Sequence, residues 1–454
     1  MTKPNEISFR DTAARVTKKE NGYFRYIFNE YKTEYDHLMQ SGLYDALVEK
    51  HLLVAHKELP VEEANYNVYK LLYPTQINFQ SYPFEWSYSQ WVKAILAYLR
   101  INHIALQFGM ILKDATPYNF YLTGGKAIMF DTSSFIFFKE NDSWLAYRQF
   151  CEEFLGPISL MHYNGTRWGK LTMSALRGMP LDFISKQLPL KSWFNLTTLL
   201  HIHLHGKYSG KSEIAVTKEV TKKGFSLEKI LSLNKMIFAT ISKWTKAYQF
   251  NNHWVNYYEN DIESAAYLVD KEQMIRKWLN DIEPETVLDL GANTGKFSFI
   301  AAEYATRVIA VEYDDICVDG IESQIKDEKT LTLIGEISEP TPSLGFDHKE
   351  FSSILVRAKS EMTFGLALIH HLYFTNYLNF NQIANYFSNI STQYSIIEFI
   401  DKEDQKVKII SKNKGITTEL YTQEGFEKSL MKYFKIIEKH KIADSARTLY
   451  LLKK

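Results

Sequence analysis

Two rhythms of apolar residues run along this chain, and the change from one to the other divides it. After Asp281 short apolar runs such as Val287-Leu288-Asp289-Leu290 and Val308-Ile309-Ala310-Val311 alternate with amphipathic stretches. That alternation predicts a parallel sheet with crossover helices. Upstream the pattern is mixed. Glu20-Asn21-Gly22 is a candidate turn between two strand-like pieces, and a helical pattern follows over Tyr31 to Lys50. Ser87, behind Pro83-Phe84-Glu85-Trp86, is placed to cap an amphipathic helix through Trp91, Ile95, Leu99 and Leu106. Leu112 to Phe138 reads as loop, strand, turn at Gly124-Gly125, strand and loop. Trp144 to about Trp254 is mostly helical around a polar loop over Lys207 to Lys223.

Two domains are therefore expected, residues 1–250 and 251–454, with the boundary near 245 to 265. The first is α+β and rich in helix; the second is α/β. A length of 454 residues is too much for one core, and 45% hydrophobic residues supply ample surface to bury. Lys plus Arg and Asp plus Glu each number 53, so no global field draws the chain to nucleic acid or to an anionic membrane. The basic run Thr217 to Lys223 reads as a solvated loop. Cys151 and Cys317 make neither a disulfide framework nor a zinc motif. With no apolar run long enough to span a bilayer and no signal-peptide pattern, a soluble cytoplasmic protein is expected.

Chemistry concentrates at Thr286 to Ser298, a buried strand that breaks at glycine and opens a helix. Gly291 and Gly295 let the backbone turn sharply and let a ligand lie on Ala292 and Asn293. Asp289, at the strand end, can take an amino-acid ammonium group or its water, which favours S-adenosylmethionine over a dinucleotide. One strand later, Glu312 stands where such folds hold two ribose hydroxyls. Leu331 to Glu336 reads as a third strand whose Glu336 reaches the adenine amino group. Gly365 to Leu372 reads as a fourth strand running into its loop, and Ser395 to Ile400 as a fifth. His370, His371 and Glu398 would then face the reacting methyl group, with His371 the better candidate for a base. Trp254, Tyr257 and Tyr258 are candidates for an aromatic lid, and interdomain packing explains them equally well.

Taken together, DLGANTGKFS, PTPSLGF, LALIHHL, IIEFIDKEDQKV and SARTLYLL resemble a bacterial family of nodulation-protein-like S-adenosylmethionine-dependent methyltransferases. The resemblance continues upstream through FRDTAARV, SGLYDAL, YPFEWS, LKDATPYN, FDTSSF and WLAYRQFCEEFLGP, so it spans nearly the whole chain. It implies a Rossmann-like class I methyltransferase domain, with a seven-stranded, mostly parallel sheet, and says little about substrate. Glu336 departs from the aspartate expected there by one methylene.

In the first half, Lys113 to Asn119 followed by Phe130-Asp131-Thr132 resembles the catalytic and metal loops of the protein-kinase-like fold. Asp114 would accept a substrate proton, while Asn119 and Asp131 would hold Mg²⁺ against ATP phosphates. No G-x-G-x-x-G loop precedes them, and Lys57 in LLVAHKEL is the candidate for the phosphate-pairing lysine. A degenerate kinase-like substrate-binding or scaffold domain is thus expected ahead of the methyltransferase. Two other readings stay open, a bifunctional phosphotransferase and a non-catalytic adenosylmethionine-binding protein. The run His201 to His205 reads as packed helix rather than metal site. The expected acceptor is a small molecule or glycan rather than nucleic acid.

Overall fold

The computed structural model describes residues 5–6, 11–61, 67–142, 144–209, 224–248 and 265–454. The basic run 217–223 and the aromatic trio Trp254, Tyr257 and Tyr258 lie outside them. The chain divides into two compact units, essentially 1–249 and 250–454.

The first unit opens with an antiparallel sheet of β1 (Asn5–Glu6), β2 (Ala14–Lys19), β3 (Gly22–Phe28), β4 (His56–Leu59) and β5 (Val68–Pro74), in the order β1-β2-β3-β5-β4. The Glu20-Asn21 turn closes the β2–β3 hairpin, and Lys19 pairs with Gly22, whose φ of 123° suits a residue without Cβ. The helical stretch after β3 resolves into Lys32–Gln40 and Leu43–Glu49. Ser87 and Gln90 form a reciprocal capping box at the start of helix Tyr88–Gln107, which buries Trp91, Ile95, Leu99 and Leu106. Then come β6 (Met110–Leu112), the hairpin of β7 (Phe120–Thr123) and β8 (Lys126–Met129) turning at Gly124-Gly125, and β9 (Phe135–Phe137) beside β6. The remaining described residues of the unit are mostly helical, ending in Leu227–Ala247. A sheet, a long capped helix, a loop, a hairpin and a helical remainder make up the expected α+β, kinase-like plan.

The second unit is a seven-stranded sheet in the order β12-β11-β10-β13-β14-β16-β15, built from β10 (Thr286–Leu290), β11 (Arg307–Glu312), β12 (Thr330–Ile334), β13 (Ser360–Gly365), β14 (Ser391–Ile400), β15 (Lys435–Lys441) and β16 (Arg447–Lys453). β16 runs antiparallel to both neighbours; the pairs linking β12, β11, β10, β13 and β14 are parallel. This is the Rossmann-like class I methyltransferase arrangement. The central strands are largely apolar, with Asp289 the exception in β10, because both their faces are covered. The strand order reverses beside β10, so the crevice opens at the carboxyl ends of β10 and β13. The fourth strand ends at Gly365; the LALIHHL segment is instead a turn followed by helix Ile369–Phe374. Apolar periodicity alone does not separate a short buried helix from a strand.

Candidate active site

At the end of β10 the chain makes two left-handed glycine turns, with φ of 73° at Gly291 and 80° at Gly295, and Asn293 between them is also left-handed at 51°. The loop is pinned to the neighbouring strand by Gly291 N–H and Ala292 N–H, which donate to Val311 O at 2.9 and 3.2 Å. Glu312 completes the clasp. Its Oε2 accepts from Asn293 N–H at 2.7 Å, and its Oε1 accepts from Tyr313 and Asp314 N–H at 2.7 and 3.0 Å. Burial pushes the Glu312 carboxyl above its ordinary range.

Asp289 lies under this loop, 2% exposed, accepting from Ser298 Oγ at 2.6 Å. Burial pushes its carboxyl up to about 6, against the pull of Ser298 and of the Lys271 charge. Asn293 Oδ1 is buried with no hydrogen-bond partner. A buried acid of raised pKa, an orphaned amide oxygen and a glycine cradle at one strand end fit a ligand bearing an ammonium group and hydroxyls. A Cβ on Gly291 would meet only Leu368 Cδ1, at 3.5 Å, so the loop's outer face is open.

Glu336 lies just past β12, half-buried, and its Oε1 accepts from Ser338 Oγ at 2.8 Å, with Asn376 Nδ2 donating onward to the same hydroxyl at 2.8 Å. His370 and His371 stand side by side on helix Ile369–Phe374, ring centroids 4.2 Å apart. His370 is wholly buried, both ring nitrogens unpartnered, and burial holds it well below the ordinary histidine range. No part of its ring is exposed, whereas the sequence placed it facing the methyl group. His371 is half-buried, and burial lowers it to about 4.

Glu398 was expected to face the crevice as well. Its carboxylate is instead saturated in the interior by Lys271 Nζ (2.6 Å), Tyr267 OH (2.7 Å), Arg447 Nη1 (3.5 Å) and the Ala367 backbone N–H (2.9 Å). Burial disfavours its charge, but Lys271 and Arg447 overcome that and hold it at about 2. It is a positioning residue, tying helix Ala265–Ile282 and β16 to the turn after β13. Sequence reading missed Tyr267, Lys271 and Arg447. The signal was there in a lone acid inside the apolar run SIIEFI, because a buried charge must find partners.

In the first unit Asn119 Nδ2 donates to Asp131 Oδ2 at 3.3 Å, and the nearby Asp131 charge adds to burial in raising the half-buried Asp114. These three residues do come together. Asp131, however, is already bound by the Arg25 guanidinium from β3, with further bonds from Ser133 Oγ (2.7 Å) and Ser134 Oγ (2.6 Å). Burial opposes ionisation there, yet Arg25 and the two serines hold Asp131 at about 2. Lys57 instead sits exposed on β4, the edge strand, opposite Tyr73. The cation that reaches the metal-loop acid is an arginine from the preceding hairpin, which a search for lysine overlooks. Among the helix histidines, His201 Nδ1 meets Tyr147 OH at 2.6 Å and both His203 nitrogens meet serine hydroxyls at 2.8 Å.

No family model matches the chain. Over 379 residues, covering 82% of this chain and 79% of its relative, it is 27% identical to the nodulation protein NoeA of Rhizobium meliloti strain 1021. The chain is a homologue of NoeA. A match of that length is longer than either unit, so the likeness to NoeA extends into both. A 108-residue stretch is 34% identical to a probable ribosomal RNA small subunit methyltransferase A of Methanosphaera stadtmanae, covering 23% of this chain and 40% of that one. Among solved structures, magnesium protoporphyrin IX methyltransferase (ChlM) of Synechocystis PCC 6803 with bound SAH aligns at 12% identity and a TM-score of 0.32, over 48% of this chain and 94% of ChlM. No helix among the described residues is long and apolar enough to cross a membrane.

Proposed function

We propose that the second unit binds S-adenosylmethionine and transfers its methyl group to an oxygen or nitrogen of a small-molecule or glycan-type acceptor. The observation that carries this reading is Asp289, a buried acid with a raised pKa beneath an open glycine loop whose far side is clasped by Glu312. In this reading Asp289 takes the ammonium group, Glu312 the ribose hydroxyls, Gly291 to Gly295 the close backbone approach, and Glu336 the adenine edge.

When bound, the cofactor supplies a sulfonium methyl with a good leaving group, so alignment carries much of the rate. The residues of this chain support that role more than proton transfer. A histidine held near 4 is neutral at pH 7 and a weak base, so His371 shapes the acceptor side and keeps a lone pair available there. Glu398 fixes the turn behind it through Ala367 N–H.

The test is calorimetric titration with adenosylmethionine and its demethylated product, beside Asp289→Ala, followed by a methyl-release screen on pooled hydroxyl and amine acceptors. Micromolar binding lost in the variant, with turnover on some pool, supports the enzyme. Binding without turnover on any pool favours a structural ligand, and no binding ends the proposal.

For the first unit we infer a kinase-derived substrate-binding or scaffold module. What supports this over phosphotransfer is the Arg25–Asp131 pair, since an arginine on the metal-loop acid competes with Mg²⁺ for the same oxygens.

A further inference from the structure

The helical part of the first unit contains a cavity of about 640 Å³, open to solvent, between helices Tyr88–Gln107 and Leu227–Ala247. That volume lies in the range of roughly 300–1,000 Å³ typical of small-ligand sites. Its wall is apolar, formed by Leu52, Leu99, Ile104, Leu231 and Phe238. Lys50, Arg100 and Lys235 stand on it, and among the described residues no aspartate or glutamate lines it. The Arg100 guanidinium lies over the Phe238 ring, 5.5 Å from its centroid, so one cation is already positioned against the apolar wall.

Asn234, also on this wall, is 2% exposed, and both its Oδ1 and its Nδ2 lack any hydrogen-bond partner. A buried polar group left unpaired is costly, so an orphaned amide in a cavity points to a ligand that supplies both an acceptor and a donor. A hydroxyl or an amide does both.

We propose that this cavity binds an anionic amphiphile. Its head is held by Lys50, Arg100 and Lys235, its apolar body lies against Leu99, Leu231 and Phe238, and a hydroxyl or amide along the body meets Asn234. The site is separate from the Asp114, Asn119 and Asp131 group, and the proposal does not depend on the methyltransferase reading.

The experiment is titration of the full chain with 3-hydroxydodecanoate, dodecanoate, dodecyl phosphate, dodecanol and dodecyltrimethylammonium, each below its micelle concentration. The expected result is saturable one-to-one binding of the anions, at least tenfold tighter than dodecanol and with none for the ammonium compound. The two heads, carboxylate and phosphate, are ranked by the same titration. Arg100→Glu with Lys235→Glu should weaken the anions at least tenfold, and Asn234→Leu should remove the preference for the hydroxylated chain while keeping dodecanoate. Should Asn234→Leu fold poorly, the exposed charge reversals still decide, with circular dichroism and the thermal melting profile as controls for folding. Equal binding of anion, alcohol and cation, no saturable binding, or indifference to the charge reversals would overturn the proposal.

Discussion

Lys271 Nζ lies 2.6 Å from Glu398 Oε2, and neither side chain reaches solvent. Tyr267 and Arg447 close the same cluster, and Arg447 Nε donates on to Asp404 at 3.0 Å. Such a pair is a weak source of net stability, but breaking one side of it leaves charges buried alone. Glu398→Gln should therefore cost about 3–5 kcal/mol, because Lys271 loses its carboxylate and Arg447 is left with Asp404 alone. In a domain of this size that is a fall in melting temperature of roughly 6–20 °C, read by calorimetry. A change within 1 °C would show that the cluster is not stabilising in this way.

The same cluster predicts acid sensitivity. The Glu398 carboxyl is held at about 2 in the folded state, below its ordinary value of 4.5. A depressed acid stabilises the fold above its unfolded pKa, and that contribution is lost as pH falls through the folded one. The melting temperature should accordingly drop between pH 4.5 and 2, and Glu398→Gln should show a shallower drop over that window.

Asp289 has the opposite sign. Its folded-state carboxyl is raised to about 6 from an ordinary 3.8, so the folded state holds a proton that the unfolded chain releases between those values. Ionising it above pH 6 costs stability, and Asp289→Asn should raise the melting temperature at pH 7.5. If Asp289 takes the cofactor's ammonium group it must be ionised to do so, and affinity should fall about tenfold per pH unit below 6. Titration between pH 5 and 7.5 reads that slope, which Asp289→Asn should flatten. A wild-type affinity independent of pH would remove Asp289 from the binding site.

Much of this was legible in the chain itself. The cap at Ser87, the turn at Asn21-Gly22 and the apolar run Val287 to Leu290 are local signals, fixed by neighbours a few residues away. What escaped reading depends on residues far apart in the chain. Glu398 is 127 positions from Lys271, and Arg25 is 106 from Asp131, so neither partner could be assigned from spacing. His370 and His371 looked equivalent as letters, and only burial separates them, one enclosed and one half-buried.

Arg25 on Asp131 predicts how the first unit treats nucleotide. Mg²⁺ can reach Asp131 only by displacing a buried guanidinium that also donates to Ser133 Oγ (3.1 Å) and Phe130 O (3.0 Å). Millimolar Mg²⁺ with ATP should therefore leave the melting temperature of the wild-type protein unchanged. A Mg²⁺-dependent rise that disappears in Asp131→Ala would establish nucleotide binding and revive the phosphotransferase reading.

Two glycines in one loop separate stability from binding. At Gly295 the backbone is left-handed, and an added Cβ would sit 2.9 Å from Ile321 Cγ1 and 3.2 Å from Phe299 Cε2. Gly295→Ala should thus destabilise by about 2–5 kcal/mol, combining backbone strain with overpacking. At Gly291 the strain is similar, about 1–2 kcal/mol, but the Cβ meets only Leu368 Cδ1 at an ordinary 3.5 Å. Nothing within the protein forbids that methyl group. If the open face of the loop is where adenosylmethionine lies, Gly291→Ala should lose at least tenfold in affinity while melting only a few degrees below wild type and well above Gly295→Ala. Denaturant unfolding and calorimetric titration of both variants give the comparison. Full affinity in a folded Gly291→Ala protein would mean that the loop does not carry the ligand, since a methyl group facing the bound molecule has to be felt.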